Sequence, residues 1–141
     1  MATRGTIAVV HPNGTVSQIY THWDSYITNN GELLYRNYNS YELANELLLA
    51  GDISILGSHC IPKTPTHTFD SPEADCTVYY SRDRGDDECE PRQFASIEEY
   101  LRNGQFQEYN YLFVDGQWEV TYHDRTANLR EELNQLIDCK E

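Results

Sequence analysis

The chain opens with a pattern of apolar and polar positions that predicts a β-hairpin. An apolar run at 6–10 is followed by Asn13-Gly14, and β-branched and aromatic residues then alternate with polar ones over 15–21. Asn-Gly between two such runs is the strongest short hairpin signal, because both central positions of a tight hairpin turn need positive φ. The second predicted strand delivers His22 and Trp23 to its end.

A second hairpin is predicted towards the other end of the chain. Asp115-Gly116 separates two alternating runs, 109–114 and 117–122. Alternation of this kind is typical of a half-buried strand, since successive side chains point to opposite faces. This hairpin ends in His123-Asp124-Arg125, so an imidazole and a carboxylate again follow a strand.

The spacing of apolar residues elsewhere predicts helices. Residues 41–50 carry apolar side chains at helical intervals, with Ser40 as the N-cap. Ser96 opens another helix, because Glu99 three positions later completes a capping box. A third, amphipathic helix is predicted over 126–139. Its apolar stripe comprises Leu129, Leu133, Leu136 and Ile137.

These elements predict an α+β fold in a single domain, for which 141 residues supply enough apolar content. An apolar piece at 76–80 predicts a middle strand. The expected architecture is therefore an antiparallel sheet built from two β-hairpins plus this middle strand, packed by about three helices. Residues 58–73 contain three prolines among threonines and predict a long loop.

The densest candidate chemistry lies at the end of the first hairpin, in His22, Trp23, Asp24 and Tyr26. An imidazole titrates near neutrality, and a carboxylate two residues away can orient it, which suits a general base or half of a metal site. The alternative is structural. In that case Trp23 and Tyr26 are core anchors, while His22 and Asp24 satisfy local backbone groups.

The second hairpin supplies a matching set of polar residues, His123, Asp124 and Arg125. If both strands end at the same edge of the sheet, these residues and the His22 set converge into one candidate polar-aromatic site. The pattern of residues leaves that geometry open.

The cysteines give no support for a metal site, since they form no Cys-x-x-Cys pair and match no zinc-finger spacing. They are Cys60, Cys76, Cys89 and Cys139. His59 and His67 in the 58–73 loop would complete a metal site only together with His22, and loop imidazoles are usually solvated. We therefore predict free thiols, no metal and no cofactor.

Charge is distributed unevenly along the chain. Residues 1–69 carry five acids against three bases, whereas residues 70–141 carry eighteen acids against seven, and the net charge is −13. Such a surface repels phosphate backbones, so we expect no direct binding of nucleic acid. It is suited to a protein partner with a basic surface, or it serves only to keep the protein soluble.

The segment 81–92 is the most charged part of the chain. Arg82 and Arg84 are a candidate clamp for a phosphate or carboxylate, although the neighbouring acids can neutralise them instead. A candidate acidic interaction surface follows from the same segment. It comprises Asp83, Asp86, Asp87, Glu88 and Glu90.

No apolar run reaches the roughly 18 residues of a membrane span, and no signal-type run follows Met1. The sequence thus predicts a protein that does not enter a membrane and that stays in the cytoplasm where it is made.

Several sequence blocks carry a family resemblance. The most specific are Ile19-Tyr20-Thr21-His22-Trp23-Asp24-Ser25-Tyr26 and Gly51-Asp52-Ile53-Ser54-Ile55-Leu56-Gly57. With Arg82-Asp83-Arg84-Gly85 and Glu108-Tyr109-Asn110-Tyr111-Leu112-Phe113, they resemble a family of small uncharacterised proteins of tailed bacteriophages, including marine and cyanobacterial phages. The resemblance implies a phage accessory protein acting in the cytoplasm of an infected bacterium, and it implies no catalytic residue.

Two classes of function remain open from the sequence. The first is an interaction protein that engages a host factor, such as a defence protein or a nucleic-acid-processing protein, through its acidic half. The second is a small-ligand or nucleotide-binding module, or a small enzyme, that uses the His, Asp and Arg residues at the two strand ends. The oligomeric state is not predicted.

Overall fold

A computed structural model describes residues 3–104, 107–123 and 125–139, with the side chains of 136–139 excepted. The strands are β1 (Gly5–Val10), β2 (Val16–Thr21), β3 (Ile53–Ile55), β4 (Val78–Tyr79), β5 (Arg92–Phe94), β6 (Tyr109–Val114), β7 (Gln117–Tyr122) and β8 (Arg125–Asn128). The helices are α1 (Glu32–Asn37), α2 (Tyr41–Leu48), α3 (Tyr80–Arg84), α4 (Ile97–Asn103) and α5 (Leu129–Cys139). A π-helical turn, Ile27–Gly31, leads directly into α1.

The described strands form one mixed sheet of eight strands in the order β4-β3-β2-β1-β6-β7-β8, with β5 also paired to β2. Both hairpins are present, with Ile7 opposite Ile19 and Phe113 opposite Trp118. The two hairpins lie side by side because β1 and β6 pair in parallel. The predicted antiparallel sheet, built from two hairpins plus a middle strand, is therefore wrong.

This error has a physical cause. A hairpin can be predicted from its turn residues. The parallel pairing of β1 with β6 instead places Ile7 beside Tyr111, and no local sequence pattern indicates it. The predicted middle strand at 76–80 shrinks to β4, because the chain turns into α3 at Tyr80. Strand β5 begins at Arg92, the last residue of the charged segment, and was not predicted.

The number of helices is also wrong, since five α-helices stand among the described residues where about three were expected. The C-terminal helix starts three residues later than predicted, because Thr126 and its neighbours pair with β7 as β8. Asn128 then caps α5 by accepting the Glu131 N–H at 3.2 Å. The Leu136 and Ile137 side chains of the predicted stripe lie outside the described part.

Helices pack on both faces of the sheet. Ile7 and Val9 point to the larger core, where α1, α2 and α5 cover them through buried leucines. Ala8 points to the opposite face, where Tyr100 of α4 and Phe94 of β5 form a smaller core. Burying each large apolar side chain stabilises the fold by roughly 2 kcal/mol. Within the described residues, no helix has the length and apolar character needed to cross a membrane.

Candidate functional site

The two predicted strand-end clusters lie at the same edge of the sheet. Strands β2 and β7 run antiparallel to β1 and β6, which are parallel to each other, so the chain leaves β2 and β7 in the same direction. His22 and His123 therefore follow strands that end at the same edge of the sheet. Strands β1 and β6 lie between them, which separates the two backbones by roughly 14 Å. Asp124 lies outside the described residues.

His22 lies in a small aromatic cluster. Its Nδ1 is 2.6 Å from Tyr20 Oη, and its ring stands at right angles to Trp23 with the centroids 4.8 Å apart. Burial lowers the pKa of His22 below its ordinary value, and the nearby positive charge of Arg4 lowers it further. The imidazole is consequently neutral near pH 7.

Asp24 contributes to the local structure through its backbone and not through its carboxylate. It takes a left-handed conformation with φ of 59°, its side chain is exposed, and its carbonyl accepts the Asn30 N–H at 3.3 Å. No described hydrogen bond joins its carboxylate to His22. Trp23 and Tyr26 are each 40% exposed, so neither is a buried core anchor. The cluster presents aromatic surface to solvent.

The second cluster fastens the C-terminal helix to the sheet. Arg125 donates from Nη2 to Tyr122 Oη at 2.7 Å and also to the buried carboxylate of Glu132, which Tyr122 contacts as well. The rings of Tyr122 and Tyr109 stack with centroids 5.5 Å apart. A neighbouring cavity of about 470 Å³ is lined partly by His123 and by no residue of the His22 cluster. The two clusters therefore have separate surroundings.

Asp52, which was not among the predicted site residues, connects the His22 cluster to the acidic segment. Its Oδ1 accepts the Tyr20 N–H at 2.8 Å, and its own N–H donates to the Cys89 carbonyl at 2.9 Å. Gly51 makes this approach possible, since its φ is 88° and a Cβ there would lie 2.2 Å from the Cys89 oxygen. Burial raises the pKa of Asp52, an effect that the Tyr20 N–H partly offsets.

The first candidate clamp residue, Arg82, is engaged inside the protein. Its Nε and Nη2 each lie 3.0 Å from the carboxylate of Asp83, and its remaining described bonds go to the carbonyls of Cys60 and Thr77. The side chain of Asp83 is only 6% exposed. Burial alone would raise the pKa of Asp83, but hydrogen bonds from Arg82 and the Tyr79 N–H hold it below its ordinary value.

Arg84 is engaged as well. Its Nη2 lies 2.6 Å from Asp86 Oδ2, and its guanidinium lies over the rings of Phe69 and Tyr80 at 4.6 and 5.0 Å. This arrangement matches the alternative open from the sequence, in which neighbouring acids neutralise both arginines. A free anion clamp would need donors that point to solvent.

Three acids of the segment remain directed outwards. Asp87, Glu88 and Glu90 are exposed, and none of the described ion pairs includes them. We call residues 85–90 the acidic loop. It presents net negative charge, because residues 85–90 contain no base and Arg84, which precedes them, is paired with Asp86 alone among their acids.

The 58–73 loop contains a network of polar contacts that sequence reasoning did not predict. Glu73 accepts the N–H groups of Lys63 and Thr64 at 2.9 and 2.8 Å, and its Oε2 lies 2.6 Å from His59 Nε2. Its own N–H donates to His67 Nδ1 at 3.0 Å, so the His67 proton lies on Nε2.

That His67 proton faces Asp83. The His67 Nε2 to Asp83 Oδ2 distance is 3.2 Å, close enough for attraction but not aligned as a good hydrogen bond. The predicted solvation of the loop histidines is therefore wrong for His67, whose side chain is 2% exposed. The only indication of this polar network in the sequence was the recurrence of histidine and acidic residues in a loop rich in proline.

Comparisons with known proteins add no relative: the chain matches no protein-family model, and neither curated proteins nor solved structures show significant similarity to it. Cys60, Cys76 and Cys89 are free thiols, as predicted, and the Cys139 side chain lies outside the described part.

Proposed function

We propose that the protein is an interaction protein that binds a host protein with a basic surface in the cytoplasm of an infected bacterium. The observation that carries this proposal is the outward direction of Asp87, Glu88 and Glu90 beside two arginines that are already paired. Residues 85–90 contain four acids and no base, so the loop offers net negative charge.

The acidic loop is held in place before any partner arrives. The Cys89 carbonyl is bonded to Asp52 N–H, and the Asp86 N–H donates to the Tyr80 carbonyl at 3.1 Å. Strand β5 follows directly and pairs with β2. A loop fixed in this way loses little conformational entropy on binding, and this favours affinity.

Exposed aromatic surface adjoins the loop through Asp52. Tyr20 contacts both Asp52 and His22, and His22 contacts the exposed ring of Trp23. Aromatic residues at the centre of an interface commonly carry much of the binding energy, while surrounding charges set the association rate and the choice of partner. Trp23 is the proposed anchor, and the acidic loop is the proposed electrostatic guide.

The total charge supports a basic protein partner over nucleic acid. A net charge of −13, concentrated in residues 70–141, repels phosphates and attracts a basic protein surface over several ångströms. Association should therefore weaken as salt increases. Proteins that bind nucleic acid carry such a basic surface, in agreement with the host factors expected from the sequence.

The proposal is tested with the variant Asp87→Lys, Glu88→Lys and Glu90→Lys, which changes the net charge from −13 to −7. The control variant Glu42→Lys, Glu98→Lys and Glu131→Lys makes the same change at exposed positions on three helices. The full chain is immobilised and incubated with bacterial lysate, and retained proteins are identified by mass spectrometry.

We expect a protein with a basic surface to be retained by the wild type and the control but not by the loop variant. The purified partner should show the same order of affinities, with a loss of at least about tenfold for Trp23→Ala. Equal retention by the wild type and the loop variant would refute the proposed role of the acidic loop.

A further inference from the structure

Three side chains in and beside the 58–73 loop form a mixed ligand set that belongs neither to the His22 cluster nor to the acidic loop. They are His59, Glu73 and Cys76, and their His nitrogen, carboxylate oxygen and sulfur atoms lie within 4.8 Å of one another. We propose that this set is a binding site for a divalent transition-metal ion, with Zn²⁺ as the best-suited ion. The site is independent of the proposed function.

Backbone hydrogen bonds hold the three ligand positions together. His59 and Cys76 are paired in a parallel bridge, in which the Thr77 N–H donates to the His59 carbonyl at 2.8 Å. The Cys76 N–H donates to the Glu73 carbonyl at 3.2 Å, which closes a turn. The backbone therefore holds these three residues close together, and their proximity does not depend on side-chain rotamers alone.

The carboxylate of Glu73 is oriented by further donors. Its Oε1 accepts the N–H groups of Lys63 and Thr64, and its Oε2, which the Lys63 N–H also reaches at 3.1 Å, is directed at His59 Nε2. Groups that orient a ligand in this way are typical of metal sites, where they fix the ligand and tune its basicity. The side chains of His59 and Glu73 are 24% and 13% exposed, and Cys76 as a whole residue is 4% exposed, so the site is shielded but reachable.

The ligand types select the metal. Nitrogen, carboxylate oxygen and thiolate sulfur together are typical of Zn²⁺, whereas Mg²⁺ and Ca²⁺ prefer oxygen alone. One carboxylate and one thiolate also balance the charge of a divalent ion. Metal binding displaces two protons, the Cys76 thiol proton and the Nε2 proton that His59 donates to Glu73. The imidazole then binds the metal through Nε2 with its ring proton on Nδ1.

The required movements are small. Zinc bonds of 2.0–2.3 Å in a tetrahedron place ligand atoms roughly 3.3–3.6 Å apart. The 2.6 Å contact between His59 and Glu73 must therefore open, and the separations of up to 4.8 Å must close, each by about 1 Å. A cavity of about 410 Å³ borders Glu73 and Cys76 and has room for a water molecule as the fourth ligand.

The test uses the full chain after chelator treatment, in a reductant that does not bind metals. Titration with Co²⁺ should show one ion per chain and a thiolate-to-cobalt charge-transfer band, and Zn²⁺ should displace the cobalt. Competition with a chelating dye gives the Zn²⁺ affinity, and Zn²⁺ should also raise the Tm.

Cys76→Ser should abolish the charge-transfer band and weaken Zn²⁺ binding by about 100-fold or more, because losing even an outer-shell partner costs 10–100-fold. Cys89→Ser is the matched control, since its thiol lies in the acidic loop, and it should leave band and affinity unchanged. Glu73→Gln keeps the size of the side chain and should weaken binding without removing the band.

The proposal is overturned if the wild type binds no Co²⁺ at one ion per chain, or if Cys76→Ser binds Zn²⁺ as tightly as Cys89→Ser. Circular dichroism confirms that each variant is folded. If Cys76→Ser does not fold, Glu73→Gln decides the matter, and an affinity equal to that of the wild type refutes the site.

Discussion

The 58–73 loop and the acidic loop both contain carboxylates but use their charges in opposite ways. In the first, Glu73 accepts two backbone N–H groups and contacts His59, so its charge is directed inwards. In the second, Asp87, Glu88 and Glu90 are exposed and belong to none of the described ion pairs. One loop is held together by its charges, while the other displays them.

The difference shows that the hydrogen-bond donors near a carboxylate, and not the number of acids in the loop, decide whether its charge is directed inwards or to solvent. Glu73 lies opposite backbone N–H groups that no regular strand or helix uses, and it satisfies them. The acidic loop is instead anchored by its own backbone, through the Cys89 carbonyl and Asp52 N–H. The carboxylates of Asp87, Glu88 and Glu90 are thus directed to solvent, where a partner can reach them.

The largest expected effect comes from removing the inward charge of Asp83. Asp83→Ala leaves Arg82 partly buried without its carboxylate, and it deprives the Tyr79 N–H of its 2.8 Å acceptor. Breaking a pair of this kind should lower the free energy of unfolding by about 3 kcal/mol. Urea denaturation followed by circular dichroism measures the change.

Asp87→Ala is the matched control, because it removes an exposed carboxylate four residues later. Its effect should stay within about 0.5 kcal/mol, as for most surface changes. Equal destabilisation by both variants would show that the contrast between inward and outward charges does not hold.

A smaller effect is expected from detaching the acidic loop at its anchor. Gly51→Ala introduces a Cβ that would lie 2.2 Å from the Cys89 carbonyl oxygen, at a φ of 88°. Backbone strain and the forced shift of the loop together should cost roughly 2 kcal/mol, and the Asp52 to Cys89 hydrogen bond should weaken. Thermal unfolding and amide exchange at Asp52 report both changes.

Gly85→Ala separates strain from steric conflict. Gly85 has a φ of 80° but nothing within 4 Å of the position a Cβ would take. It should therefore cost only the left-handed penalty, about 1 kcal/mol. If Gly51→Ala and Gly85→Ala are equally stable, the close approach of Gly51 to the Cys89 carbonyl is not what holds the acidic loop.

Local signals in the sequence predicted the local parts of the fold. The turn at Asn13-Gly14 gave the first hairpin, and Ser40 caps α2 by accepting the Leu43 N–H at 3.2 Å. The capping signal at Ser96 was equally informative, since its side chain accepts the Glu99 N–H at 3.1 Å. Each of these features is decided by residues within four positions of one another.

Features that depend on distant residues were missed or misjudged. The parallel pairing of β1 with β6 is specified by packing on both faces of the sheet, not by any turn. Strand β5 is hidden because Arg92 and Gln93 look like loop residues until they pair beside β2. The sequence therefore predicted an antiparallel sheet, whereas the structure has a mixed sheet.

The candidate site shows the same limit. That His22 and His123 both follow strands was readable from the sequence, but the two intervening strands were not, and each histidine has its own neighbours. Glu73 and Cys76 carried no signal, because their partner His59 lies 14 positions before Glu73 and only the folded loop brings the three together.

The smallest of the expected effects depends on pH and tests the inward charge of Glu73. Hydrogen bonding from His59, followed by the Lys63 N–H, lowers the pKa of Glu73 from an ordinary 4.5 to about 2. A lowered pKa stabilises the folded state fully above pH 4.5, and this contribution is lost as the pH falls towards 2. The Tm difference between wild type and Glu73→Gln should therefore be constant near neutrality and narrow below pH 4.5.

The measurement is made in chelator so that bound metal does not contribute. Glu98→Gln, which removes an exposed carboxylate from α4, corrects for the loss of one acidic group. A wild-type advantage that persists unchanged to pH 2.5 would mean that shape alone, and not the charge on Glu73, orders the 58–73 loop. A Tm difference between wild type and Glu73→Gln that narrows as the pH falls would instead show that the negative charge of Glu73 orders this loop.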